Sequence, residues 1–112
     1  MKRKYETKRN RFDTLTEAIN LEFGNQTQAE LHHKALAFPH YQMDMYHVSR
    51  VLKNQIELVH EFNDEIIYPV FVDEKIRQHL KKGDTFLLGL GLREFDWHIL
   101  WMSPPYHVGE WH

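Results

Sequence analysis

His60, Glu61 and His98, with Arg93 as a fixed cation, are of the residue types that acid–base cleavage uses. A base, an acid and a cation that holds phosphate make up the equipment of metal-independent phosphodiester cleavage. Their spacing argues against one joint use: in a strand, the neighbours His60 and Glu61 point to opposite faces. No nucleophile elbow, P-loop or dinucleotide fingerprint accompanies them, and Gly89-Leu90-Gly91 is too short to cradle a phosphate. No cofactor is implied.

Nine histidines in 112 residues raise metal binding as a second chemistry. His32-His33 are adjacent, and on a helix they diverge by about 100°, so they do not grip one ion. Asp44 and His47 share a face only in a helix. His107, Glu110 and His112 have suitable donors for zinc or nickel, but they sit on a terminal segment whose ordering entropy opposes binding. The sequence therefore assigns no metal site.

Stacking is the third chemistry. Trp97, Phe95 and Tyr68 could form an aromatic platform for a base or a peptide, with Arg93, His98 and His60 as polar neighbours. Trp101 and Ile99 alternate with core candidates and read as interior. Residues 1–11 carry Lys2, Arg3, Lys4, Lys8, Arg9 and Arg11 against Glu6 alone, a net of +5. Residues 12–112 hold eight basic and 15 acidic side chains, a net of −7. A basic arm that displaces phosphate counterions, with Tyr5 or Phe12 to stack, is the nucleic-acid reading. A terminus resting on the chain's own acidic surface is the plainer one.

The elements that position these residues follow from periodicity. Phe86, Leu88, Leu90 and Leu92 alternate, as do Trp97, Ile99 and Trp101, across the connection Arg93-Glu94-Phe95-Asp96. A central hairpin follows, with Leu92 opposite Trp97, Gly91 opposite His98, Leu90 opposite Ile99, Leu88 opposite Trp101 and Gly89 opposite Leu100. Glycine within a strand weakens it unless the space is used. The plain use is a sharp barrel bend or a helix packed close against the backbone; the functional use is room for a ligand beside His98.

Before the hairpin, Thr14-Leu15-Thr16-Glu17 and Thr27-Gln28-Ala29-Glu30 are capping boxes, predicting helices that end at Gly24 and before Pro39. Residues 40–62 fit both a helical stripe (Met45, Val48, Leu52, Ile56, Val59 and Phe62) and strand alternation; the turns at Lys53-Asn54 and Asn63-Asp64 favour strands at about 42–52, 55–62 and 65–72 over one helix. Pro69 cannot donate to a ladder, so the third is an edge strand or bulged. Asp73 to Lys82 reads as a short helix closed by Gly83.

The expected fold is α+β. An N-terminal helical hairpin packs on a strongly curved five-stranded antiparallel sheet or a small SH3- or OB-like barrel, with a short helix before strand 4. Residues 1–12 form a flexible arm and 13–112 a single domain, long enough to bury a core. The 42% hydrophobic and 13% aromatic content is that of a globular chain. No apolar run reaches the ~20 residues of a membrane span, and no secretory h-region follows the basic start. The chain lacks cysteine, which excludes disulfides and thiolate chemistry. A cytoplasmic protein is the expectation. Together these features read as a non-enzymatic binding module for a protein or nucleic acid, with a small histidine-dependent enzyme on a phosphate-containing substrate as the alternative. A homo-oligomer joined through the Pro69-bearing edge strand is a further possibility for partners.

Overall fold

The computed structural model describes residues 10–106. Its elements are α1 (Arg11–Phe23), α2 (Gln28–Ala35), β1 (His40–Val51), β2 (Ile56–His60), β3 (Ile66–Ile67), α3 (Glu74–Arg77), β4 (Thr85–Arg93) and β5 (Asp96–Met102). The strands form one antiparallel sheet in the order β3-β2-β1-β4-β5.

Helix α1 begins a turn earlier than the capping box at Thr14 predicts. Asn10 takes the cap, accepting from the Asp13 amide at 2.8 Å, and the Arg11 guanidinium is anchored on Asp84 at 2.6 and 2.9 Å. Arg11 and Phe12 thus belong to the folded body. Lys2, Arg3, Lys4, Lys8 and Arg9, and with them the rest of the expected arm, lie outside the described residues. Leu15, Ile19 and Phe23 are buried at the i, i+4, i+8 spacing of one helix face. The second capping box forms as written: Thr27 Oγ1 accepts from Glu30 N, and Glu30 Oε1 accepts from Thr27 N. Helix α2 nevertheless buries no residue fully. It lies against β5, while α1 packs on α3 and β5.

Strand β1 is the longest element, and it changes partner along its length. Residues 40–47 pair with β4, residues 46–51 with β2, and the β2 pairing carries a bulge between Val48 and Arg50. One face carries the core: Tyr46, Val48, Ile56, Leu58, Phe86, Leu88, Leu90 and Met102, covered by α1, Ile76 and Leu80.

Four expectations need correction. First, the strand expected at 65–72 ends at Ile67. Pro69 has no amide to give a ladder, so the chain leaves the sheet there. Pro69 is buried, and Val70 N then donates to Trp97 O at 2.9 Å. Second, the sheet does not close into an SH3- or OB-like barrel: β3 and β5 remain its edges. The two-residue β3 offers too little ladder to meet β5, and the 68–72 segment covers the core instead. Third, the central hairpin slips. Leu92–Trp97, Gly91–His98 and Leu90–Ile99 pair as expected, but a bulge then sets Gly89 opposite Trp101 and Leu88 opposite Met102. Met102 thereby enters the core, and Trp101 stays half-buried. The helix expected over 73–82 is also shorter, Glu74–Arg77, although Asp73 caps it and Ile76 and Leu80 are buried as predicted.

Candidate functional site

The first half of β1 runs between two turns at the same end of the sheet: the β4–β5 turn, just past the His40–Leu92 pair, and the β2–β3 turn, which starts beside Met45. Alternation places His40, Gln42, Asp44 and Tyr46 on the core-side face of β1, opposite Leu92, Leu90, Leu88 and Phe86. Strand β2 stops at His60, opposite Tyr46, so the first residues of β1 have a strand neighbour on one side only. That loss of cover is why side chains as polar as Gln42 and Asp44 can share a face with the core.

These side chains form a chain of contacts. His40 Nε2 lies 3.0 Å from Gln42 Oε1, and Gln42 Nε2 donates to the Tyr46 hydroxyl at 2.7 Å. Burial pushes the Tyr46 phenol up to about 12; the nearby Glu65 and Asp44 charges act the same way, and the Gln42 bond opposes them. The His60 ring stands edge-on to Tyr46 at 5.0 Å, and its Nε2 is 3.3 Å from Asp44 Oδ2. His60 Nδ1 accepts the backbone amides of Phe62 and Asn63 at 3.1 and 3.2 Å. With Nδ1 fixed as an acceptor, a neutral ring carries its proton on Nε2, facing Asp44. His60 is only 7% exposed and works as a turn-closing group.

His98 lies on the other side of the sheet. It pairs with Gly91, which pairs with Tyr41, whereas His60 pairs with Tyr46; adjacent positions on β1 of opposite parity face opposite ways. The two histidines therefore cannot act on one substrate atom. The space above Gly91 belongs to Phe38: a Cβ there would sit 2.6 Å from Phe38 Cγ. The Phe38 ring lies 5.1 Å from the His98 ring. The Arg93 guanidinium covers Phe38 at 4.5 Å and donates to Ala37 O at 2.7 Å. Gly89 is used similarly, by the Tyr41 hydroxyl at 2.7 Å from the position of an added Cβ. Both glycines are notches for aromatic side chains that hydrophobic alternation within the hairpin did not reveal. Glu61 meets His47 rather than His60, consistent with opposite faces for His60 and Glu61.

Tyr68 is tied down elsewhere. Its hydroxyl donates to Glu57, which also accepts Ser49 Oγ at 2.6 Å and Arg50 Nε and Nη2 at 3.1 and 2.9 Å. These donors, led by Arg50, hold the Glu57 carboxyl at about 2, and the bond to the Glu57 carboxylate in turn pushes the Tyr68 phenol up. Trp97 is half-buried against the core, near His40 at 6.1 Å. Phe95, by contrast, stands 95% exposed at the tip of the β4–β5 turn. Phe62, 82% exposed, and Phe71, 71% exposed, join it as apolar groups in water. The sequence reading missed both, because Phe62 fits a strand alternation and Phe71 lay in the strand that Pro69 cuts short.

Six carboxylates share this half of the sheet: Asp44, Glu61, Asp64, Glu65, Glu94 and Asp96. Arg93 is the cation beside them, and it is spent on Phe38 and Ala37. Among the described residues no three His, Asp or Glu side chains gather as a metal site, and His107, Glu110 and His112 lie outside them. A cleft of about 100 Å³ between α1, α2 and β5, lined by Phe23, Phe71, Val72, Ile76 and Met102, is smaller than the roughly 300 Å³ of a small-molecule pocket. No described helix is long and apolar enough to cross a membrane. Comparison with protein-family models, with curated proteins and with solved structures finds no match to this chain.

Proposed function

We propose that this protein is a non-enzymatic recognition module that engages a protein partner through the acidic, aromatic-rimmed end of its sheet. The observation that carries the reading is a division of labour. The groups equipped for acid–base chemistry are held by the scaffold: His60 by the β2–β3 turn, His98 against Phe38, and Tyr46 in the core. The large apolar groups that a folded chain would hide, Phe95 and Phe62, stand in solvent at the same end. Exposed aromatics with a polar rim suit partner contact. Six carboxylates there repel phosphate, which favours a protein over a nucleic acid and weighs against the alternative of a histidine-dependent enzyme on a phosphate-containing substrate.

The test is photo-crosslinking in the producing cell, with p-benzoylphenylalanine at Phe62 or at Phe95 and, as control, at Lys53 on the β1–β2 turn. The expected result is a discrete, nuclease-resistant protein adduct from the first two positions and none from Lys53. Adducts only to nucleic acid, or equal labelling from all three, would overturn the reading.

A further inference from the structure

We infer that residues 40–44 of β1 accept an extended, Lys/Arg-bearing peptide segment as an added strand, which deepens the recognition reading above and rests on it. The argument starts from the direction of backbone groups. Val48 N donates to Asp84 O and Gly83 N to Val48 O, so even-numbered residues of β1 as far as Val48, before the bulge, turn their amides and carbonyls toward β4. Met45 O accepts Glu61 N, so odd-numbered residues turn toward β2. The β2 pairing starts at Tyr46, and the turn reaches only as far as Met45. Tyr41 and Met43 therefore present their backbone N–H and C=O to a side with no strand.

The other edges are protected. On β5, Trp97 O accepts Val70 N, and Leu100 O accepts Gln26 Nε2 at 3.1 Å. Edge strand β3 is two residues long, and Pro69 follows it closely. Residues 40–44 contain no proline, lysine or bulge; of the usual devices against strand addition they carry one inward-pointing charge, Asp44. An open edge whose one such charge can be met by a cation is a template for β-augmentation by a basic strand.

Charge selects the occupant. Asp44, Glu61, Asp64 and Glu65 flank this edge, and among the described residues none pairs with a lysine or arginine; Asp44 and Glu61 meet only His60 and His47. An incoming strand that alternates cationic and apolar residues would set its cations beside Asp44 and its apolar side chains beside Met43, which lie on opposite faces of β1.

The test uses the full chain and fluorescence anisotropy with a labelled decapeptide of alternating lysine and valine. Controls are the same peptide N-methylated at alternate residues, and one with glutamate in place of lysine. Met43→Pro is the protein variant: the Met43 amide faces the open side, so the β1–β4 ladder keeps its bonds. The expectation is saturable binding of the lysine–valine peptide. N-methylation and Met43→Pro each weaken it about tenfold or more, and glutamate abolishes it. Equal binding of the N-methylated peptide would reduce the site to an acidic surface and sink strand addition, and so would no binding at all. If Met43→Pro fails to fold, the N-methylated peptide decides alone. Light scattering that shows a dimer abolished by Met43→Pro would make a second copy the occupant and overturn the peptide assignment. Crosslinks from Phe62 and Phe95 without peptide binding would leave recognition standing and remove only the added strand.

Discussion

Arg11→Met should be among the most damaging single substitutions outside the apolar core. The Asp84 side chain is 3% exposed and receives both Arg11 terminal nitrogens, at 2.6 and 2.9 Å, with the Lys81 amide at 2.8 Å. The same guanidinium donates to His79 O at 2.8 Å. It thus joins the start of α1 to the turn between α3 and β4. Methionine keeps an apolar stem of similar length but strands a buried carboxylate and a carbonyl. Removing one partner of a buried ion pair costs about 3–5 kcal/mol. Arg11 is 27% exposed, and the Lys81 amide still caps Asp84, so the low end applies, about 3 kcal/mol. That is a large share of the ~5–15 kcal/mol that holds a domain folded. At roughly 4–6 °C per kcal/mol for a chain of this size, the midpoint should fall by about 12–18 °C. Urea unfolding followed by tryptophan fluorescence would measure Arg11→Met, Asp84→Asn and the double variant. The double should be milder than the sum of the singles by about 2 kcal/mol. Arg11→Met within about 0.5 kcal/mol of wild type, or strictly additive singles, would refute the assigned role.

Three other outcomes follow from the same geometry. Gly91→Ala places a methyl 2.6 Å from Phe38 Cγ and should cost about 1–3 kcal/mol, with Phe38→Ala relieving part of the loss; additive effects in denaturant unfolding would exclude the notch. The Tyr46 phenol is raised from about 10 in the unfolded chain to about 12, so the folded state holds its proton longer; stability should fall as pH rises through that window. Tyr46→Phe should flatten that fall, and an unchanged alkaline slope would count against a buried phenol. The Glu57 carboxyl is depressed to about 2, so its contribution is present above the unfolded value near 4.3 and is lost as pH drops toward 2. Glu57→Gln should make the acid limb of a pH–stability curve shallower, and an acid limb identical to wild type would remove Glu57 from the account.

Local chemistry was legible where a residue's immediate neighbours settle its role. The Thr27–Glu30 capping box, the split of residues 40–60 into strands and the pairing of Leu92, Gly91 and Leu90 across the hairpin all depend on contacts within a few residues or on simple alternation. Legibility failed where a distant segment competed. Arg11 looked like part of a basic arm because its acceptor is 73 residues away. The Thr14 box lost to a local rival, Asn10, which caps the helix through the Asp13 amide, and the distant Arg11–Asp84 pair anchors the added turn. Pro69 announced a break in the ladder, but not that the chain would cross to Trp97 rather than continue at the edge.

The candidate site shows the same boundary. The sequence by itself determined an α+β chain of helices and antiparallel strands, an aromatic and exposed Phe95 at a turn, and opposite faces for His60 and Glu61. Those follow from side-chain period and turn chemistry, which act over one or two residues. Only the tertiary structure decided that Phe38 fills the notch at Gly91, that His60 and His98 lie on opposite sides of the sheet, and that β2 ends early enough to bare one edge of β1. The reason is physical. Which backbone groups stay unpaired depends on where two strands stop relative to each other, and that register is set by packing between segments that are far apart in the chain.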